Sequence, residues 1–204
     1  MAGEWASTRS AIQTPGVGGE KLKFDSRDLA LTAVFAALYV TINVLQTASI
    51  GNPTIYGPIQ LRIADCLIAL AALLGWPVIG GVTFGCFLTN AYYFLGTLDV
   101  AFGPVANLLA ATTVFLLRKR HFVACILGAS PVGLIVGGYL WLFFPPPEVL
   151  NIMPEWVAMI LSITASSLVA IGGIGYILLS IMSKWNIVGP LKSRGLKVVN
   201  GDKG

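Results

Sequence analysis

The chain has 204 residues, 56% of them hydrophobic and 11% charged, with a net charge of +4 and a mean hydropathy of +0.81. A soluble domain carries about 25% charged residues, so the composition excludes one large soluble core and points to a polytopic membrane protein. In such a protein the basic residues report topology and contact with anionic lipid rather than nucleic-acid binding.

Residues 1–27 are polar and glycine-containing, and their lysines come late, at Lys21 and Lys23. They do not read as a signal peptide, and a disordered cytoplasmic tail is expected. A six-helix, all-α membrane domain is expected over 28–183, with both termini cytoplasmic. Its apolar segments lie at about 28–47, 61–75, 77–96, 99–117, 122–144 and 154–182. A crossing takes roughly 20 apolar residues, with about 17 to 25 tolerated. Segment two is short and is expected inside the bundle; segment six is long and is expected to tilt. Residues 184–204 form a basic cytoplasmic tail.

The breaks have chemical causes. Asn52-Pro53 and Gly57-Pro58 end the first long loop, and Gly75-Trp76-Pro77 makes a tight turn. Pro145, Pro146 and Pro147 stop segment five, because proline lacks an amide donor and restricts its predecessor. Pro104 is expected to start the regular part of segment four, leaving Asp99 to Gly103 irregular near the surface.

Charge orients the segments. Arg9, Lys21, Lys23, Arg27, Arg118, Lys119, Arg120, Lys184, Lys192, Arg194, Lys197 and Lys203 all fall on one side of a six-span arrangement. The positive-inside rule makes that side cytoplasmic. Arg62 is the exception. Asp65, Asp99, Glu148 and Glu155 lie at or near the outer ends.

The outer half also gathers polar residues. Gln60, Arg62 and Asp65 enter segment two, Asn90, Tyr92 and Tyr93 leave segment three, and Asp99 and Asn107 open segment four. Charges beside lipid are costly and usually mark a ligand site or a buried pair. Structural roles compete with a site. Arg62 and Asp65 share a helical face at three-residue spacing and can pair. Asp99 can cap segment four, and Asn90 and Asn107 can make interhelical hydrogen bonds. Tyr92, Tyr93 and Trp156 read either as an interfacial belt or, for one tyrosine, as a stacking platform.

Ala33 and Ala37, Gly81 and Gly85, Ala106 and Ala110, and Gly133 and Gly137 repeat at four-residue spacing, which allows close backbone approach. Cys66, Cys86 and Cys125 match no metal or redox spacing and read as small buried hydrophobes. No catalytic residue, cofactor or metal is expected. His121 lies in the basic loop away from the acids, and no hydrolase or nucleotide-binding motif occurs.

Three ordered motifs carry a family resemblance: G-P-I-Q-L-R-I-A-D (57–65), G-G-V-T-F-G-C (80–86) and T-L-D-V-A-F-G-P-V-A-N-L-L-A-A (97–111). They resemble the QueT family, substrate-binding S components of energy-coupling factor transporters, over residues 28 to about 182. The resemblance implies a six-helix S-component fold with an outward site capped by the loop between helices one and two. It implies a small-molecule substrate, a queuosine precursor of the deazaguanine type. It also implies a transmembrane coupling subunit and two cytoplasmic ATPases as partners, with Ala33 and Ala37 as a docking surface on helix one. The expected binding residues are Gln60, Arg62, Asp65, Asn90, Tyr93, Asp99 and Asn107. Two positions depart from the family pattern: Asp65 stands where glutamate is usual, and Ser166-Ser167 where a glycine-glutamate pair is common. A different vitamin or small heterocycle, or a solitary carrier, therefore stays open.

Overall fold

The computed structural model describes residues 25–51, 57–150, 152–184 and 198. Six helical segments lie close to the six apolar runs, and no strand occurs among the described residues. They are α1 (Ser26–Ile50), α2 (Ile63–Leu74), α3 (Trp76–Tyr93), α4 (Thr97–Leu116), α5 (His121–Leu140) and α6 (Glu155–Met182). Four of them, α1, α4, α5 and α6, are long and apolar enough to cross a membrane by length and composition. The tails expected at 1–27 and 184–204 lie almost wholly outside the described residues.

The shortness of α2 has a structural answer. Every residue from Ala64 to Leu74 is buried, so the segment is a core strut apolar on nearly all sides. Its first eight residues, Ile63–Leu70, form a 3-10 helix, and Ala71–Leu74 continue as α-helix. A 3-10 turn rises about 2.0 Å per residue against 1.5 Å in an α-helix. The stretch therefore spans roughly 22 Å rather than about 18 Å.

The glycine pairs set the helix spacing. A Cβ at Gly81 would lie 2.5 Å from Phe35 Cβ, and one at Gly85 2.7 Å from Tyr39 Cβ, so α3 lies tight against α1. Gly137 meets Ile160 at 2.6 Å, and Gly133 meets Thr164, which brings α5 onto α6. Ala106 and Ala110 are fully buried. Ala33 and Ala37 differ: both are exposed, on the face of α1 opposite Phe35, Ala36 and Tyr39. All three cysteines are buried and unbridged.

Two expectations for segment four are corrected. Pro104 lies inside α4, which is helical from Thr97. Gly103 has no Cβ to meet the proline ring, and a packed bundle tolerates one missing amide donor. Asp99 is not the cap either. Gly96 is, and Asp99 is the third helical residue, with its carboxylate turned inward. Segment five ends at Leu140, ahead of the proline run, and passes through Trp141–Phe144 in turns.

Within α6 the α-helix Glu155–Ser167 gives way to a π-helical stretch, Leu168–Gly175. Gly175 sits against α2, where a Cβ would lie 3.0 Å from Ala69 Cβ and 3.1 Å from the Cys66 carbonyl. The two irregular helices thus pack on each other. Such departures recur where function needs them.

Candidate functional site

The non-helical segment 57–62, bent at 57–59, is held from α1 on one side and α6 on the other. Gln46 of α1 donates from Nε2 to the Leu61 carbonyl (2.6 Å) and accepts at Oε1 from the Ile63 amide (2.9 Å). Ser162 of α6 donates to the Pro58 carbonyl (2.6 Å). This bracing aims Gln60 and Arg62 inward, where both are buried.

Arg62 is not on the helix. It is the residue before α2, and its carbonyl accepts from the Asp65 amide (3.1 Å). Its guanidinium turns to α3 and α4. Nη1 donates to Asn90 Oδ1 (3.2 Å) and lies 3.8 Å from Cys86 Sγ, while Nη2 is 3.9 Å from Asp99 Oδ1. The expected helical face shared by Arg62 and Asp65 does not form, because the helix begins between them.

Asp65 is placed by another partner. Tyr39 of α1 donates to Asp65 Oδ1 (2.6 Å) and accepts from Asn107 Nδ2 of α4 (3.0 Å). Three helices meet at that hydroxyl, and Tyr39 is fully buried. Asp99 is held similarly: Tyr139 of α5 donates to its Oδ1 (2.7 Å). Asn90 Nδ2 donates to the Asp99 carbonyl (2.9 Å), tying α3 to α4 as an interhelical bridge.

A cavity opens beside this network. Gln60, Arg62, Asp65, Asn107 and Ser167 form its polar wall; Val132, Val136 and Ile163 face them, and Gly103 completes the lining. Its enclosed space is about 10 Å³, room for one water-sized group. Counted with the gaps between side chains and the open mouth, the space is about 280 Å³. The smaller figure governs what fits, so a bicyclic ligand needs these walls to part. Gln60 Nε2 and Asp99 Oδ2 are buried without a hydrogen-bond partner among the described residues.

Of the residues singled out by sequence, Gln60, Arg62, Asp65 and Asn107 therefore line one cavity. Asn90 and Asp99 reach it through Arg62. Tyr93 is not in the lining; its ring stands edge-on to Tyr92 with centroids 4.9 Å apart. Ser167, in the pair that departs from the family pattern, is in the lining.

Tyr39, Gln46, Tyr139 and Ser162 were not anticipated. For two of them a signal existed. Tyr39, Asn43 and Gln46 recur at steps of four and three in an otherwise apolar helix, which puts them on one face. Tyr139 and Ser162 carry no such mark, since one tyrosine near a helix end also fits an interfacial belt.

The model of a family described as QueT transporter matches residues 29–184. The chain belongs to the QueT transporter family. Membership assigns it to membrane transport, in accord with four apolar helices of crossing length. No curated protein and no solved structure matches the chain. Within this QueT chain the polar cluster is bonded across five helices, α1 to α5.

Proposed function

We propose that this QueT protein is the substrate-binding S component of an energy-coupling factor importer and takes up a queuosine precursor, a deazaguanine base. The observation that carries the reading is a cavity with five polar side chains, Gln60, Arg62, Asp65, Asn107 and Ser167, inside the apolar bundle of a transporter-family chain. A guanine-like edge presents two adjacent N–H donors and a carbonyl acceptor. The Asp65 carboxylate accepts both donors, while Gln60 Nε2 or Arg62 donates to the carbonyl. Arginine and carboxylate held among neutral donors recognise such an edge more strongly than they would in water.

The positive-inside distribution puts both termini in the cytoplasm and the cavity on the outer side of the cell membrane. The exposed alanines of α1, Ala33 and Ala37, dock a transmembrane coupling subunit, and two cytoplasmic ATPases supply the energy. Their face of α1 is free of the contacts that hold α3 on the other side.

Two measurements on protein purified from membranes test this. Titration calorimetry with a deazaguanine base is expected to show saturable binding that Asp65→Ala abolishes. Co-expression with the coupling subunit and ATPases is expected to yield one complex, which Ala37→Trp disrupts while base binding persists. Transport that continues without those partners refutes the energy-coupling part and leaves a solitary carrier.

A further inference from the structure

The cavity walls divide by element. One wall comes from residues 60–65 and α4; the other, Val132, Val136, Ile163 and Ser167, comes from α5 and α6. These four residues lie in the cavity-side halves of the two helices, and those halves are locked together. A Cβ at Gly137 would lie 2.6 Å from Ile160, and Gly133 lies against Thr164. Both helices break just past that wall. Pro131 sits inside α5 and has no amide to donate to the Leu127 carbonyl. In α6 the α-helix ends at Ser167 and the π-helical stretch follows. The contacts of Gly137 with Ile160 and of Gly133 with Thr164 step by four along each helix. The same step places Ala129 beside Leu168, so the two breaks lie at one depth. The far halves are anchored: Gly128 of α5 lies against Val114 of α4, and Gly175 of α6 against Ala69 of α2. Gly172 and Gly173 are looser, since an added Cβ at either would meet only Leu168 within 4 Å, at 3.8 and 3.9 Å.

We infer that the cavity-side halves of α5 and α6, residues 132–140 and 155–167, swing as one body about Pro131 and the π-helical stretch, and that this swing admits the ligand. The inference rests on the proposed role as a binding subunit. An enclosed space of about 10 Å³ holds no base, so one wall moves. The polar wall is fixed by side-chain hydrogen bonds that Arg62, Asp65 and Asn107 make across α1 and α3. The apolar wall is a paired body on two adjacent breaks, and helices bend at prolines and π-helical turns. Hinges of this kind sit at a few residues beside rigid elements. Two hydrogen bonds fasten the closed position: Tyr139 to Asp99, and Ser162 to the Pro58 carbonyl.

Spin labels on the purified full chain test this without a ligand. One pair reads the moving body, Leu161→Cys on α6 against Tyr92→Cys on α3. The other reads the far ends, Ile181→Cys against Leu29→Cys; all four positions are exposed. The native cysteines are buried, and the unsubstituted chain carried through the same labelling gives the background. Pulsed dipolar spectroscopy is expected to show two distances for the first pair and one for the second. Pro131→Ala, and separately Gly172→Ala with Gly173→Ala, are expected to leave the first pair only the distance of the closed structure. A single distance in the unsubstituted background, or two that survive both stiffened variants, overturns the inference. The second reading is stopped-flow binding of a deazaguanine base. Pro131→Ala is expected to slow association and dissociation together by about tenfold with Kd unchanged, because both directions pass through the open state. Unaltered rates, or a weaker Kd with association unaltered, overturn the hinge. If no base binds, the deazaguanine reading fails, and the label distances still decide the hinge.

Discussion

Tyr39 does more than any other single residue to arrange the site. Its hydroxyl is donor to Asp65 and acceptor for Asn107, so it fixes a carboxylate of α2 and an amide of α4 from a third helix. Tyr39→Phe keeps the ring that fills the core and deletes only that link. Two buried groups then lose a partner, at about 1–3 kcal/mol for a group left unsatisfied. Base affinity is expected to fall about tenfold, with the fold retained. Calorimetry read beside circular dichroism checks this, and unchanged affinity removes Tyr39 from the arrangement. Residue chemistry was legible in sequence where a charge or amide stood out against apolar surroundings, as at Arg62, Asp65 and Asn107. It was not legible where the partner was a tyrosine, a residue equally at home in a core or an interface. The pairing of Arg62 was misjudged for a different reason: three-residue spacing implies a shared face only if the helix already spans both residues.

At the scale of elements, the glycines divide into two kinds. Gly81 and Gly85 let α1 and α3 touch backbone to backbone, and an added methyl has no room. Gly138 of α5 is exposed, with nothing within 4 Å of an added Cβ. Gly81→Ala is expected to destabilise by about 1–3 kcal/mol through overpacking. Gly138→Ala is expected to be neutral or to stabilise by about 0.5–1 kcal/mol, because glycine weakens a helix interior. Thermal unfolding of the two variants in detergent separates them; equal midpoints contradict the packing described for Gly81. The six helical segments were legible from apolar runs and prolines. The 3-10 and π-helical stretches were not, because neither has a sequence period that separates it from an α-helix. The interior position of Pro104 was hidden similarly: its tolerance depends on Gly103 and on the surrounding bundle.

At the scale of the molecule, antiparallel packing brings the end of α1, the start of α2, the end of α3, the start of α4 and the end of α5 together. Gln46, Arg62, Asn90, Asp99 and Tyr139 all sit at that end. With Arg27, Arg118, Lys119, Arg120 and Lys184 toward the other end, fusions of a cytoplasm-active reporter at either terminus are both expected to be active. Opposite results for the two ends contradict a six-crossing topology. That topology has an assembly problem at its centre. A 12-residue strut with Arg62 and Asp65 at one end is too short and too polar at its mouth to partition into lipid alone. Its buried surface is covered by α1, α3, α4 and α6 together. Under the proposed six-crossing topology, insertion of α2 is expected to be a late step, taken collectively with its neighbours. A substitution that loosens its seat, such as one at Gly175, would first appear as a population of five-crossing molecules with one terminus on the wrong side.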